Sequence, residues 1–142
     1  MSASARGLVE LYVGMLNARD PELVDGFVAE EYVNHNDFVG DGREANRQFW
    51  SAFFTGLPDV SVTVEDLIVS GDRVVGRFVY RGTHTGDLLG IPASVNKVEM
   101  RSIDIWRVRD GMFVEHWDEL NLMQMFQQIG VLPQLDGLGT PA

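Results

Sequence analysis

Two aspartates inside one β-hairpin constrain this chain more than any other feature. Residues 101–108 read Arg-Ser-Ile-Asp-Ile-Trp-Arg-Val, and residues 112–120 read Met-Phe-Val-Glu-His-Trp-Asp-Glu-Leu. Both runs are rich in β-branched and aromatic residues, and Arg109-Asp110-Gly111 between them is a turn signal. Aspartate is a poor strand former and costly to bury, so Asp104 in one arm and Asp118 in the other need a reason. Register decides whether they meet. A two-residue Asp110-Gly111 turn pairs Arg109 with Met112 and puts them on opposite faces. A three-residue turn pairing Val108 with Met112 sets Asp104 opposite His116 and Ser102 opposite Asp118, with the acids as diagonal neighbours roughly 7–8 Å apart. We expect the second register. It gathers Ser102, Asp104, His116 and Asp118 on one face as an acid–base site, where two carboxylates would share a proton, one pKa pushed up and the other down.

The rest of the chain supplies walls for such a site. Leu8, Leu11, Tyr12, Met15 and Leu16 recur at helical spacing, and Asp20-Pro21-Glu22 starts a second short helix carrying Leu23, Val24, Phe27 and Val28. The segment 31–37 is too rich in Asn and Asp for a core strand, and a third helix presents Ala45, Phe49, Trp50 and Phe53. Strands then follow at 60–69, 73–83 and 95–108, with a glycine-rich loop at 84–93, before the final hairpin arm. A closing helix has Leu122, Met123, Met125, Phe126 and Ile129 on its apolar side and Gly130 as its cap. Helices first and consecutive antiparallel strands after predict an α+β fold. The expected form is a curved antiparallel sheet, a half-barrel or cone, packed against N-terminal helices, with an internal pocket and a C-terminal helix. Met15, Met100, Met112, Met123 and Met125 are expected to give that pocket an adaptable lining.

At 142 residues the chain is read as one domain, 1–142, with 134–142 as a frayed tail. A formal charge of −10 argues against nucleic acid and anionic membrane surfaces. The absence of cysteine removes disulfides and thiolate chemistry, and no apolar run approaches the ~20 residues of a membrane span. Without a leader pattern a cytoplasmic protein is expected. The three histidines show no metal-ligand spacing, and Gly82 and Gly86 are followed by no lysine, so neither metal nor cofactor is expected.

Tyr32-Val33-Asn34, Gly82-Thr83-His84-Thr85-Gly86, Gly90-Ile91-Pro92, Asp110-Gly111, His116-Trp117-Asp118 and Gln127-Gln128-Ile129-Gly130 together resemble the SnoaL-like polyketide cyclases. That superfamily also holds nuclear-transport-factor-like domains and limonene epoxide hydrolase. The resemblance implies that Asp118 is the general acid/base and Asn34 a pocket asparagine, with His116 and Asp104 completing the catalytic group. Asp104 stands where the cyclases carry a histidine, and Ser102 where they carry a glutamine. It further implies Tyr32, His35, Ser102, Trp106, Met100 and Met15 as contacts to a hydrophobic, polycyclic or polyketide-type substrate, and a homodimer through the outer sheet face near Ile103 and Ile105. The implied reaction is a cofactor-independent intramolecular aldol cyclisation. An Asp–Asp pair beside Tyr32 and Asn34 is also similar to the epoxide hydrolases, although Ser102 replaces their arginine. Epoxide opening or hydroxylation is therefore the alternative reaction, and a non-catalytic binding or dimerisation module the alternative class.

Overall fold

The computed structural model describes residues 4–135. Residues 136–142, most of the expected frayed tail, lie outside the described residues. Helix α1 (Ala5–Ala18) begins where Ser4 accepts the Gly7 backbone N–H at 3.0 Å, and buries Leu8, Val9, Tyr12, Met15 and Leu16. Leu11, expected on that face, is exposed instead. The Asp20-Pro21 start is confirmed but yields a single 3-10 segment, Pro21–Gly26, rather than an amphipathic helix. Phe27 and Val28 then pass into strand β1 (Val28–Asn34). Of the polar segment 31–37, residues 31–34 complete an edge strand with only some positions buried, in keeping with a segment unsuited to a core strand. Helix α2 (Arg43–Gly56) carries Trp50, Phe53 and Phe54 inward.

Strands β2 (Ser61–Ser70), β3 (Arg73–Thr83), β4 (Lys97–Arg109) and β5 (Met112–Leu120) form an antiparallel meander, and β1 joins β5 in parallel. The sheet order is β1-β5-β4-β3-β2, so β5 sits between the edge strand and β4. Helix α3 (Leu122–Gln128) follows, with Met125 buried, Met123 exposed and Gly130 in the left-handed conformation beyond its end. The α+β class, the curved sheet, the N-terminal helices and the C-terminal helix agree with the sequence reading.

The β4–β5 register differs from the expected one. Arg109 pairs with Met112 across a two-residue turn whose residues, Asp110 and Gly111, both have positive φ, 52° and 73°. Such turns match the right-handed twist of the flanking strands. One extra residue then interrupts β5, because Val108 pairs with Phe113 but Arg107 pairs with Glu115. Phe113 and Val114 are consecutive and both buried, and the bulge accommodates the pair. Past the bulge Trp106 faces His116, and Asp104 faces Asp118 directly. The acids share a face, as expected, but as a direct cross-strand pair and by a different route.

Along β4 the buried positions alternate: Val98, Met100, Ser102, Asp104 and Trp106. Asp104 thus occupies a place that the sheet's period reserves for apolar residues. On β3 its ladder partner is Gly76. A Cβ there would meet the Phe78 ring at 2.4 Å, so the missing side chain is what lets that ring lie over this position of β3. Among the described residues no helix is long and apolar enough to cross a membrane.

Candidate active site

A narrow cavity opens between the helices and the inner sheet face. Its walls include Tyr12, Phe27, Tyr32, Phe49, Trp50, Tyr80 and Trp106, and its polar groups are Asn34, Asn36, Asn46, Asp104, His116 and Asp118. Among the described residues no lysine or arginine lines it.

Asp104 is almost fully buried, at 2% exposure. Its Oδ2 accepts from Ser102 Oγ at 3.3 Å, while its Oδ1 has no partner among the described residues. Behind Ser102 runs a chain of hydroxyls: Tyr80 lies 3.0 Å from Ser102, and Tyr12 lies 2.6 Å from Tyr80. Ser102 spends its proton on Asp104, so Tyr80 donates to Ser102 and Tyr12 donates to Tyr80. Burial raises both tyrosine pKa values well above the ordinary value, so these protons stay in place at physiological pH.

The orientation of His116 follows from its neighbours. Asn34 Oδ1 accepts the Asn36 backbone N–H at 3.1 Å, which identifies it as the carbonyl oxygen. His116 Nδ1, 3.0 Å from the same oxygen, therefore donates to it. The other ring nitrogen, Nε2, faces Asp104 Oδ2 at 3.8 Å, too far for a hydrogen bond but within ion-pair distance when the ring is protonated. Trp106 stacks on the imidazole at 5.2 Å, and Tyr32 flanks it at 6.1 Å.

Asp118 is half-buried and receives both of its hydrogen bonds from one group, Asn36 Nδ2, at 2.9 Å to each oxygen. Phe38 N–H donates to Asn36 Oδ1 at 2.8 Å, which turns the amide nitrogen toward the acid. Burial lifts the Asp118 carboxyl above the ordinary aspartate value; the Asp104 charge adds to this, while His116 and Asn36 pull it back. Asp118 does not cap α3, whose N-cap is Asn121. Tyr32 Oη accepts from Trp106 Nε1 at 3.1 Å, and its own proton has no acceptor among the described residues. Burial also keeps that proton on, with the Trp106 contact working against it.

The structure thus gathers Asn34, Asp104, His116 and Asp118 around one cavity, with Tyr32, Trp106 and Met100 in its wall. Ser102 stands behind Asp104 rather than in the wall. Two expected contacts lie elsewhere. Met15 is buried in the core, outside the cavity wall, and His35 sits on the outer face, stacked on Trp117 at 4.9 Å and paired with Glu115 at 2.8 Å. Of the five methionines expected as soft lining, only Met100 takes part. His84 is fully buried and bonded to Ser94 and the Ile91 carbonyl, so it holds the glycine-rich loop together. Asn36, Asn46 and Tyr80 are not singled out by the sequence reading, which places Tyr12 on a helix face without assigning it to the site. The Asn34-His35-Asn36 pattern was the available signal for Asn36, since alternate asparagines at a strand end invite Asx turns. Asp104, His116 and Asp118 also bring three ligand-type atoms within 4.8 Å of one another, a grouping that their spacing along the chain does not reveal.

This combination has relatives. The family model described as SnoaL-like polyketide cyclase matches residues 6–129. TsrD from Streptomyces laurentii is 35% identical, with a TM-score of 0.84 over 89% of this chain and 95% of that one. IdmH from Streptomyces antibioticus, a candidate polyketide cyclase, is 30% identical, with a TM-score of 0.72 over 87% and 96%. AclR from Streptomyces galilaeus, a candidate hydroxylase, has a TM-score of 0.82 over 92% and 83%, and at 22% identity it shows the fold alone. A comparison with curated protein sequences gives no match. Matched over nearly its whole described length, the chain belongs to the SnoaL-like polyketide cyclase family.

Proposed function

We propose that this protein is a cofactor-independent acid–base enzyme that closes a ring in a hydrophobic, carbonyl-bearing small molecule by an intramolecular aldol reaction. The observation that carries the reading is Asp118. It is a carboxylate lifted by burial, held by the Asn36 amide and opening on an aromatic cavity. A base whose pKa moves toward the operating pH is a better proton acceptor for a carbon acid. In this reading Asp118 takes the proton between two carbonyl groups. The enolate oxygen then meets two donors that the protein leaves unused, the Tyr32 hydroxyl and Asn34 Nδ2. His116, its Nδ1 proton held by Asn34, presents Nε2 to the acid pair and steadies the charge there. The carbanion attacks a second carbonyl carbon of the same molecule, whose C=O π bond opens to an alkoxide. The proton held on Asp118 returns to that oxygen, while the aromatic walls hold the chain folded for the attack.

The test supplies purified protein with β-keto polyketide esters and follows ring closure, with Asp118→Asn as the control and EDTA in a parallel series. Ring closure that needs Asp118 and survives the chelator is expected. No rate above buffer across several such esters sinks the reading.

The direct opposition of Asp104 and Asp118, beside Tyr32 and Asn34, favours a second reaction, epoxide opening or hydroxylation. Label from isotopic water in a diol product selects it over the cyclase. A binding module would be favoured by acids on the outer face; both acids instead line the inner cavity. A homodimer through the outer face, where Ile103 is half exposed, belongs to the same proposal, and sedimentation at micromolar concentration tests it.

A further inference from the structure

Among the described residues, two buried acceptors in the cavity have no donor. Asp104 Oδ1 is one, and Asn46 Oδ1 on α2 is the other; both residues line the same space. Buried polar atoms are almost always paired, so two orphans of the same kind on residues that line one cavity describe what is to be brought in. A molecule without donors would leave both unpaired at a cost for each. Charge points the same way. Asp104 and Asp118 are balanced within the cavity by His116 alone, so even a protonated imidazole leaves one negative charge. An incoming anion would meet that charge with no lysine or arginine to receive it. An incoming cation would meet two carboxylates and several π-faces, the surroundings that ammonium groups favour.

We propose that the molecule taken by this cavity carries nitrogen: an amine, or another group with N–H donors, on a flat aromatic frame, donating to Asp104 Oδ1 and Asn46 Oδ1. Anionic compounds are excluded from it. A hydroxyl brings one proton and no charge, whereas a primary ammonium brings three protons and the missing charge, which is why nitrogen rather than oxygen fits. The narrowness of the cavity selects a flat frame. The inference rests on the reading of this cavity as the place where the small molecule binds, and it gives that reading a division of labour. With the nitrogen group engaged by Asp104, Asp118 remains free as the base.

Calorimetric titration of the full chain with 1-naphthylmethylamine, 1-naphthylmethanol and 1-naphthoate tests it at physiological salt. The frame is constant and only the polar group changes. The amine is expected to bind at least about tenfold tighter than the alcohol, as a charge-assisted bond does over a neutral one, and the carboxylate not at all. Asp104→Asn, checked for folding by circular dichroism, is expected to erase the amine's advantage, and Asn46→Leu to reduce it. Equal binding of amine and alcohol overturns the inference. So does an amine preference that survives both substitutions, since that reports only attraction to a chain of net charge −10. Should Asp104→Asn fail to fold, the wild-type ranking and Asn46→Leu still decide. Turnover fails separately. Esters that close while the naphthyl series stays unranked refute only the nitrogen preference. Amine binding without any ring closure refutes only the cyclase reading.

Discussion

On the outer face of the β4–β5 hairpin, Glu115 accepts from Arg107 at 3.0 Å and from His35 at 2.8 Å, and Arg73 lies over the Trp117 ring at 4.7 Å. On the inner face of the same two strands, Asp104 has one oxygen unpartnered and faces a second carboxylate across the ladder. The hydrogen bond from His35 and the contacts of Arg107 lower the Glu115 pKa; burial raises that of Asp118. Two acids three residues apart on one strand thus move in opposite directions. On the outer side water and partners are plentiful, so a charge is stabilised where it stands. On the inner side burial makes the charge expensive, and the fold keeps it there with one oxygen of Asp104 unpartnered and no lysine or arginine among the described residues beside it, which suits a site of chemistry.

The comparison breaks most readily at Asp118. Asp118→Asn is expected to lower ring closure by roughly 10²–10⁴-fold, the usual contribution of a positioned base, while raising the melting temperature at neutral pH. Lower stability together with unchanged activity would make Asp118 a structural residue like Glu115. Gly76→Ala, on the inner face opposite Asp104, is expected to cost about 1–3 kcal/mol by pushing its Cβ into the Phe78 ring, read by denaturant unfolding. Ser102→Ala removes the end of the hydroxyl chain and leaves Tyr80 and Asp104 short of a partner each. It is expected to cost on the order of 1–3 kcal/mol in the same measurement.

The pH dependence sharpens the contrast, because the two acids carry opposite signs. The lifted Asp118 holds its proton more tightly folded than unfolded. Its contribution to stability is present below the ordinary carboxylate range and is lost as pH rises through the lifted value. The lowered Glu115 contributes above that range and loses its contribution as pH falls through the depressed value. Melting temperatures across acid to neutral pH should therefore lose opposite limbs in Asp118→Asn and Glu115→Gln. At neutral pH Glu115→Gln is expected to shift the melting temperature least of all these variants, since exposed ion pairs add little. An equal or larger shift than Ser102→Ala would erase the distinction between the faces.

Much of this hairpin was legible before the fold. The alternation of β4 marked Asp104 as an anomaly, and the Asp110-Gly111 pair announced the turn. The register was not legible, because the bulge at Phe113-Val114 has no residue signature: two apolar residues in succession read equally well as ordinary strand. His35 was misplaced for a related reason. It follows the last residue of β1, and a one-residue step in a strand carries a side chain to the other face.

What the sequence determined by itself was local or periodic: helix starts, the places where the chain turns, the order of elements, and hence the α+β class. These depend on neighbours within a few residues, and the pattern of side chains states them directly. Only the tertiary structure decided which groups meet in the cavity. Tyr12 comes from α1, Asn36 from the loop after β1, Asn46 from α2 and Tyr80 from β3, and nothing local in any of these segments records its distance to Asp104 or Asp118. The same holds for the two unpartnered oxygens. Whether a buried acceptor finds a donor is a property of the packed whole, fixed only when every other group has taken its place.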